Sequence, residues 1–318
     1  MNVVRDGDEQ RQHGPCVVTI GVFDGLHRGH QRVIERVVEL ARERNALATV
    51  VTFDPHPAQV LNHGRAPLQL ATLDQRLEGL ALLGVDLVRV VTFNAELAKE
   101  SASQFVQRVL VNELGAVAVV VGEDFRFGHD RLGDVELLRS EGARHHFEVR
   151  PAVIFGDGQR WSSTAVRQAL AVGDVQRAAV VLGRPFTLRG VVVRGDRRGG
   201  DLGFPTANVS LAENQILPEL GVYAGAVRLD DRRWLPAAIS VGTRPQFYEN
   251  GDVLVEVHVV GYAGDLYGAS LDVAFLARLR AEMTFEHVNA LVAQMERDVL
   301  QSVEIFENFS PESLILLG

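Results

Sequence analysis

Two histidines three residues apart, His27 and His30, stand among three glycines in the run GVFDGLHRGH, residues 21–30, where an apolar stretch gives way to a helical pattern. At that spacing, across a turn entering a helix, both imidazoles can face the space above the helix N-terminus. Unpaired amides and a partial positive charge there favour an anion. Gly29 lets a phosphate approach the backbone, while Gly21 and Gly25 allow a tight turn around Phe23 and Asp24. Imidazole N–H groups can donate to a phosphorus centre that is gathering negative charge, chemistry that rests on positioning and electrostatics. Two plainer accounts stand beside this one. The pair could simply finish a strand-to-helix turn, or it could ligate a metal, although no cysteine or third ligand is near in sequence.

Two further runs carry chemistry of their own. In WSSTAVR, residues 161–167, Ser162, Ser163 and Thr164 bring hydroxyls and amides to a helix's first turn, and Arg167 offers a planar fork to phosphate; a plain N-cap is the alternative. In GDRRGGDLGFPTAN, residues 195–208, glycines including Gly203 can wrap a phosphate tail. Thr206 and Asn208 place a hydroxyl and an amide oxygen on one side of an extended chain, hard donors suited to magnesium. The bland reading is a glycine-rich loop with a proline turn. Glu256 interrupts the apolar alternation VLVEVHVV, as a shielded carboxylate poised to act as a base or as one facing solvent.

The elements that must hold these residues follow from periodicity. CVVTIGVF, ALATVVTF, DLVRVVTF and AVAVVVG are near-continuous β-rich runs, separated by helical spacings such as Val33, Ile34, Val37, Val38 and Ala41, then Leu77, Leu80 and Leu83. That order predicts an α/β domain with a parallel sheet over residues 16–183, its ligand site beyond the carboxyl ends of the strands. From residue 184 to 318, strands at short intervals with Gly, Pro and Asp turns predict an antiparallel barrel or sandwich. A closing helix carries Val288, Leu291, Val292, Met295 and Val299 as its apolar stripe. The polar first fifteen residues read as a frayed lead-in without signal or transit character.

Composition narrows the options. The net charge of −9 argues against a surface devoted to nucleic-acid backbone, and no apolar run reaches the ~20 residues of a membrane span. Among 32 basic residues only Lys99 is lysine, and it lies in AELAKESA without a glycine loop, so a Walker A site is excluded. A single cysteine, Cys16, excludes an internal disulfide framework and agrees with a cytoplasmic setting.

The ordered set of motifs resembles known families. GVFDGLHRGH, TFDPHP (residues 52–57), VGEDFRFG (121–128) and WSSTAVR resemble the prokaryotic FAD synthetases of the nucleotidyltransferase superfamily. LGFPTAN, GVYAG, SVGTRP, VEVHV, DLYG and FLARLRAEMTF resemble riboflavin kinases. The resemblance implies a Rossmann-like FMN adenylyltransferase domain followed by a β-barrel riboflavin kinase domain with a C-terminal helix. It implies conversion of riboflavin to FMN and of FMN to FAD, with ATP as co-substrate and Mg2+ in both steps, and no nucleic-acid, membrane or obligate protein partner. By resemblance His27, His30, Gly21, Phe23, Asp24, Gly29, Ser163, Thr164 and Arg167 serve the nucleotide of the first domain, and Gly203, Thr206 and Asn208 that of the second. Asp54, His56, Asp124 and Phe125 line the nucleotide and flavin clefts, Arg280 clamps flavin or phosphate, and Glu256 is the general base. Rival readings are a lone adenylyltransferase with an inactive kinase module and a flavin sensor. The chain departs from the pattern at Trp161, usually a smaller apolar residue, and at Gln246, usually threonine.

Overall fold

In the computed structural model the described residues are 1–8, 14–61, 66–152, 155–156, 159–195, 202–229, 233–243 and 253–309. Gln246 lies outside them. The chain divides into two compact units, residues 1–68 with 76–161, and residues 69–75 with 162–318.

The first unit is built on a six-stranded parallel sheet in the order β1-β4-β3-β2-β5-β6. Its strands are β1 (Asn2–Val4), β2 (Cys16–Ile20), β3 (Leu47–Asp54), β4 (Leu87–Thr92), β5 (Ala116–Gly122) and β6 (Glu148–Ala152). Strands β2 to β5 are apolar on both faces because both are covered. Helix α1 (Arg28–Glu43) packs Val33, Val37, Leu40 and Ala41 against Val17, Ala48, Ala118 and Val120 on one face. On the other, Phe105, Val106, Val109 and Leu110 meet Val18, Val51, Val91 and Val119. Those four residues span the join of helix α4 (Ala102–Phe105) to a π-helical stretch, Val106–Glu113, with α5 (Val135–His145) beside it.

The first residues are not a frayed lead-in. Asn2–Val4 adds a parallel edge strand to β4, and Asp6 just beyond it bonds the buried Arg89 guanidinium and accepts from the Thr92 amide at 2.6 Å. The same Arg89 takes Glu113 at 2.9 Å, so a charged cluster pins the edge. Helix α2 (Pro57–Leu61) follows β3, and helix α3 (Leu73–Leu82) crosses from one unit into the other. Of the expected leucine stripe Leu80 is fully buried and Leu77 and Leu83 half-buried; Gln75, Arg76 and Gly79 are buried beside it, and the two polar side chains donate to backbone carbonyls.

The second unit begins with α6 (Ser163–Ala171) and α7 (Val175–Leu182) and continues into a closed antiparallel barrel in the order β10-β13-β12-β11-β14-β9. Two short strands, β7 (Phe155–Gly156) and β8 (Gln159–Arg160), end the first unit. The barrel strands are β9 (Phe186–Val193), β10 (Ala207–Leu211), β11 (Gly221–Arg228), β12 (Trp234–Thr243), β13 (Val253–Val259) and β14 (Ser270–Arg280). Of the two β architectures the sequence allows, it is the barrel. Leu188, Val209, Tyr223, Ile239, Val257 and Phe275 fill the interior by strict alternation.

The C-terminal helix α8 (Val288–Glu307) covers the outer side of β11, β12 and β14. Its anchor differs from the expected stripe. Val288 is 57% exposed, and the fully buried positions are polar, Asp298 and Ser302. Leu291, Val292, Met295 and Val299 of that stripe are half-buried, and Asp298 beside them receives the Arg280 guanidinium at 2.8 and 3.0 Å.

Candidate active sites

In the first unit, the turn after β2 is held in a demanding backbone shape. Phe23, Gly25 and Leu26 all have positive φ, at 55°, 77° and 43°. Such strain in non-glycine residues costs about 1–3 kcal/mol each and persists only where the surroundings enforce it. Phe23 and Asp24 are buried, and the Phe23 ring meets His30 edge-on at 5.2 Å. Gly21 suits this packing, since a Cβ there would lie 3.1 Å from the Phe23 ring and press it aside. Gln31 Nε2 closes the turn by donating to the Leu26 carbonyl at 2.7 Å.

His27 is the N-cap of α1, its Nδ1 accepting from the His30 amide at 3.3 Å. That bond leaves the proton of a neutral His27 on Nε2. The two imidazoles stack, with centroids 3.6 Å apart and planes 21° apart. Burial, and then the neighbouring His27, hold the His30 pKa well below the ordinary histidine value, so His30 is a neutral ring at pH 7. Its buried Nδ1 has no hydrogen-bond partner among the described residues. Helix geometry leaves the Arg28 and buried Gly29 amides without intrahelical acceptors in the same turn. The result is a pair of ring N–H groups and two amides around one helix terminus.

Next to this turn a cleft of about 860 Å³ opens at the carboxyl ends of β2, β3 and β5. Gly21, Val22, His56, Asp124 and Phe125 are among its lining residues. Its walls are aromatic: Phe125 stacks on Phe127 at 5.2 Å, and Phe53 packs between Phe93 and Phe105 at 5.9 and 6.3 Å. His56 accepts the Ala58 amide through Nδ1 at 3.0 Å, and Asp124 is exposed at the rim with Lys99. Asp54 stands at the end of β3, its carboxylate counted with that of Asp24 among the charges favouring a buried arginine, Arg76.

The Trp161 departure has a local consequence: the Arg32 guanidinium lies 4.5 Å over its ring and that of Arg28 at 5.9 Å. Trp161 closes the first unit. Ser163, Thr164 and Arg167 belong to the second, on α6. There Ser162 takes the cap, accepting the Ala165 amide at 3.2 Å, which places Ser163 and Thr164 in the first turn.

In the barrel, strand register gathers the second set. Asn208 of β10 pairs directly with Glu256 of β13, which pairs with Ser240 of β12; Ser240 pairs with Val222 of β11, and Val222 with Arg280 of β14. Directly paired residues share a face, so Asn208, Glu256 and Arg280 lie in one transverse row. Val255 and Val257 point inward, which puts Glu256 on the outer, half-buried face. The FPTAN segment is tied to the same strand: His258 Nδ1 meets the Pro205 carbonyl at 2.8 Å, and its ring meets Phe204 at 5.6 Å. Thr206 and Asn208 flank the inward Ala207, while Gly203 is exposed with φ at 87°. Arg280 itself is engaged by Asp298.

The donor set suits a hard divalent cation. Thr206 and Asn208 supply neutral oxygens, and no group of three or more His, Cys, Asp or Glu among the described residues could hold a metal. Magnesium, which retains waters and shares phosphate oxygens, fits such a sparse site. Gly195, read from the sequence only as one of the glycines of a phosphate loop, makes room for Asn208: a Cβ there would lie 2.1 Å from Nδ2. Sequence reasoning missed Arg76, which matters through contacts distant in sequence, with Val22 and Thr52.

Known proteins match this chain in two successive stretches. A family model described as FAD synthetase matches residues 9–165, and one described as riboflavin kinase matches residues 182–306. The bifunctional riboflavin kinase/FMN adenylyltransferase of Pseudomonas fluorescens is 41% identical over 289 residues, 91% of this chain and 92% of its own. The protein of that name from Escherichia coli (strain K12) is 41% identical over 292 residues, 92% and 93% of the two chains. That of Bacillus subtilis (strain 168) is 32% identical over 302 residues, 94% and 95%. A crystal structure described as a macrolide-efflux protein from Streptococcus pneumoniae has TM-score 0.84 at 28% identity, covering 98% of this chain and 100% of that one. Efflux belongs to that description alone. Among the described residues of the present chain, no helix is long and apolar enough to cross a membrane.

Proposed function

The chain belongs to the bifunctional riboflavin kinase/FMN adenylyltransferase family, and on that premise we propose how its residues divide two ATP-dependent reactions. The reading rests on one observation. Each compact unit carries its own chemistry-bearing cluster, the histidine stack in the first and the Asn208–Glu256 pair in the second.

In the kinase reaction, the riboflavin 5′-hydroxyl oxygen attacks the γ-phosphorus of ATP, the bond to the β-bridging oxygen breaks, and ADP leaves. Glu256 accepts the hydroxyl proton. Thr206 and Asn208 would hold magnesium, which when bound offsets charge on the β- and γ-phosphates. Gly203 gives the loop room for the phosphate tail, and Arg280, anchored by Asp298, gives the row a fixed positive end.

In the adenylylation, an FMN phosphate oxygen attacks the α-phosphorus of a second ATP, and pyrophosphate leaves. No covalent enzyme intermediate is needed, because the nucleophile is already anionic. His27 and His30 donate N–H groups to the α-phosphate as its charge grows, aided by the Arg28 and Gly29 amides. A neutral His30 does this without placing a charge in the buried turn. The resemblance of WSSTAVR to the FAD synthetase motif assigns Ser163, Thr164 and Arg167 to phosphate binding. The aromatic cleft receives the flavin ring between apolar walls, with His56, Asp124 and Phe125 at its edge. The substrates are small molecules of a reducing cytoplasm, where the one thiol, buried Cys16, stays free.

The test separates flavins after incubation with riboflavin, ATP and magnesium. His30→Ala should abolish FAD while FMN accumulates, and Glu256→Ala should block FMN while FAD still forms from supplied FMN. Parallel loss of both products in either variant would refute the division.

A further inference from the structure

Arg76 is 2% exposed and stands four residues before the fully buried Leu80, so a guanidinium occupies the inward face of α3. A buried guanidinium is costly unless hydrogen bonds and nearby opposite charge offset its lost hydration. Here Nη1 donates to the Val22 carbonyl at 2.8 Å and to Thr52 Oγ1 at 3.1 Å. Thr52 Oγ1 in turn donates to the same Val22 carbonyl at 3.2 Å. Burial opposes the charge, and the carboxylates of Asp24 and Asp54 favour it.

The location of this investment is what matters. Val22 lines the aromatic cleft on one side and on the other is followed by Phe23, the first residue of the left-handed turn. Four residues later that turn delivers His27 as the helix cap. One carbonyl therefore joins the cleft wall to the histidine stack, and two donors fix it. Thr52 and Asp54 bring in the end of β3, and Asp24 the turn itself, so three segments converge on one side chain.

We propose that Arg76 is a positioning residue for adenylyl transfer: by clamping the Val22 carbonyl it holds the His27–His30 stack in register with the flavin cleft. This rests on the assignment of adenylyl transfer to the first unit. The side chain acts through Val22 and the turn, without itself touching substrate.

The test uses the full-length protein, with FAD formation from FMN and ATP as the affected reaction and FMN formation from riboflavin as the readout of the other unit. Arg76→Met should lower kcat for FAD formation ~10²-fold, the scale of a misplacement near 1 Å, with KM for ATP within about a factor of three. Arg76→Lys, which keeps a charged donor, should recover at least about tenfold of that loss. Thr52→Val removes one link while preserving shape, and should cost kcat about tenfold. It decides the matter if Arg76→Met does not fold. An unchanged kcat in both Arg76→Met and Thr52→Val, or a lysine variant no better than methionine, would overturn the proposal. So would equal loss of FMN formation. His30→Ala run in parallel separates the premise: if that variant still makes FAD, the assignment of the histidines fails, whatever Arg76 does.

Discussion

Gly195→Ala is a small change with a large expected effect. Gly195 lies outside the left-handed region, so alanine is compatible with the backbone, but its Cβ would sit 2.1 Å from Asn208 Nδ2 and 2.6 Å from Cγ. Ordinary contact begins near 3.4 Å, so the amide must retreat by 3.4 − 2.1, or 1.3 Å. Side-chain rotation can supply that movement, leaving the barrel intact and displacing the proposed magnesium donor. A misplacement of ~1 Å typically costs ~10² in rate, about 2.7 kcal/mol of transition-state stabilisation. FMN formation should therefore fall by that factor, and FAD formation from supplied FMN should stay within about twofold. Flavin separation with each substrate in turn measures both. The sharper check is the double variant. If Gly195 acts only through Asn208, adding Gly195→Ala to Asn208→Ala should cost nothing further. Wild-type FMN formation in the single variant, or multiplied losses in the double, would refute the reasoning.

Three other outcomes follow from the geometry. Because the folded pKa of His30 is depressed, the unfolded chain binds its proton first as pH falls, so stability present above the ordinary histidine value of ~6.5 is lost below it, by about 1.4 kcal/mol per pH unit. Urea unfolding of Trp234→Phe protein, with Trp161 as the reporter, should show that slope diminished by His30→Phe; an identical slope would show that His30 does titrate normally. Asp298→Ala leaves the Arg280 guanidinium without its carboxylate and should destabilise the barrel unit by about 3 kcal/mol, measured by denaturant unfolding, while Arg280→Met/Asp298→Met should recover much of it. Phe125→Ala removes one member of the stacked pair and about 1 kcal/mol of ring contact, which should raise KM for FMN in FAD formation several-fold and leave KM for riboflavin unchanged in steady-state assays.

Much of the architecture was legible in the sequence because it repeats. Four β-rich runs separated by helical spacings can hardly be other than a covered parallel sheet, and register then carries Asn208 and Glu256 to adjacent positions. What escaped were features decided by one long-range contact. Asn2–Val4 is too short to show a period, and its pairing depends on Arg89 receiving Asp6. Arg76 looks like any polar helix residue until Val22 and Thr52 are folded beneath it. Asp298 flanks the apolar stripe of α8 as a carboxylate, and its burial shows only once Arg280 and Gln294 are seen to donate to it. Each of these is a charged group whose burial is set by its partner, and pattern reading assigns charges to the surface by default.

The second unit is also discontinuous in the chain. Residues 69–75 belong with the barrel: the Gln69 amide donates to the Asn214 carbonyl at 2.7 Å, its own carbonyl accepts from Ile216 at 2.9 Å, and Gln75 Nε2 reaches the Thr187 carbonyl at 3.2 Å. A kinase fragment cut after Trp161 or Leu182 would therefore leave behind a seven-residue piece of its own wall, exposing the main-chain groups of Asn214 and Ile216 that it satisfies. Excision, transplantation or circular rearrangement of this half has to carry that borrowed segment along. Along the chain, then, the two halves are interleaved rather than consecutive.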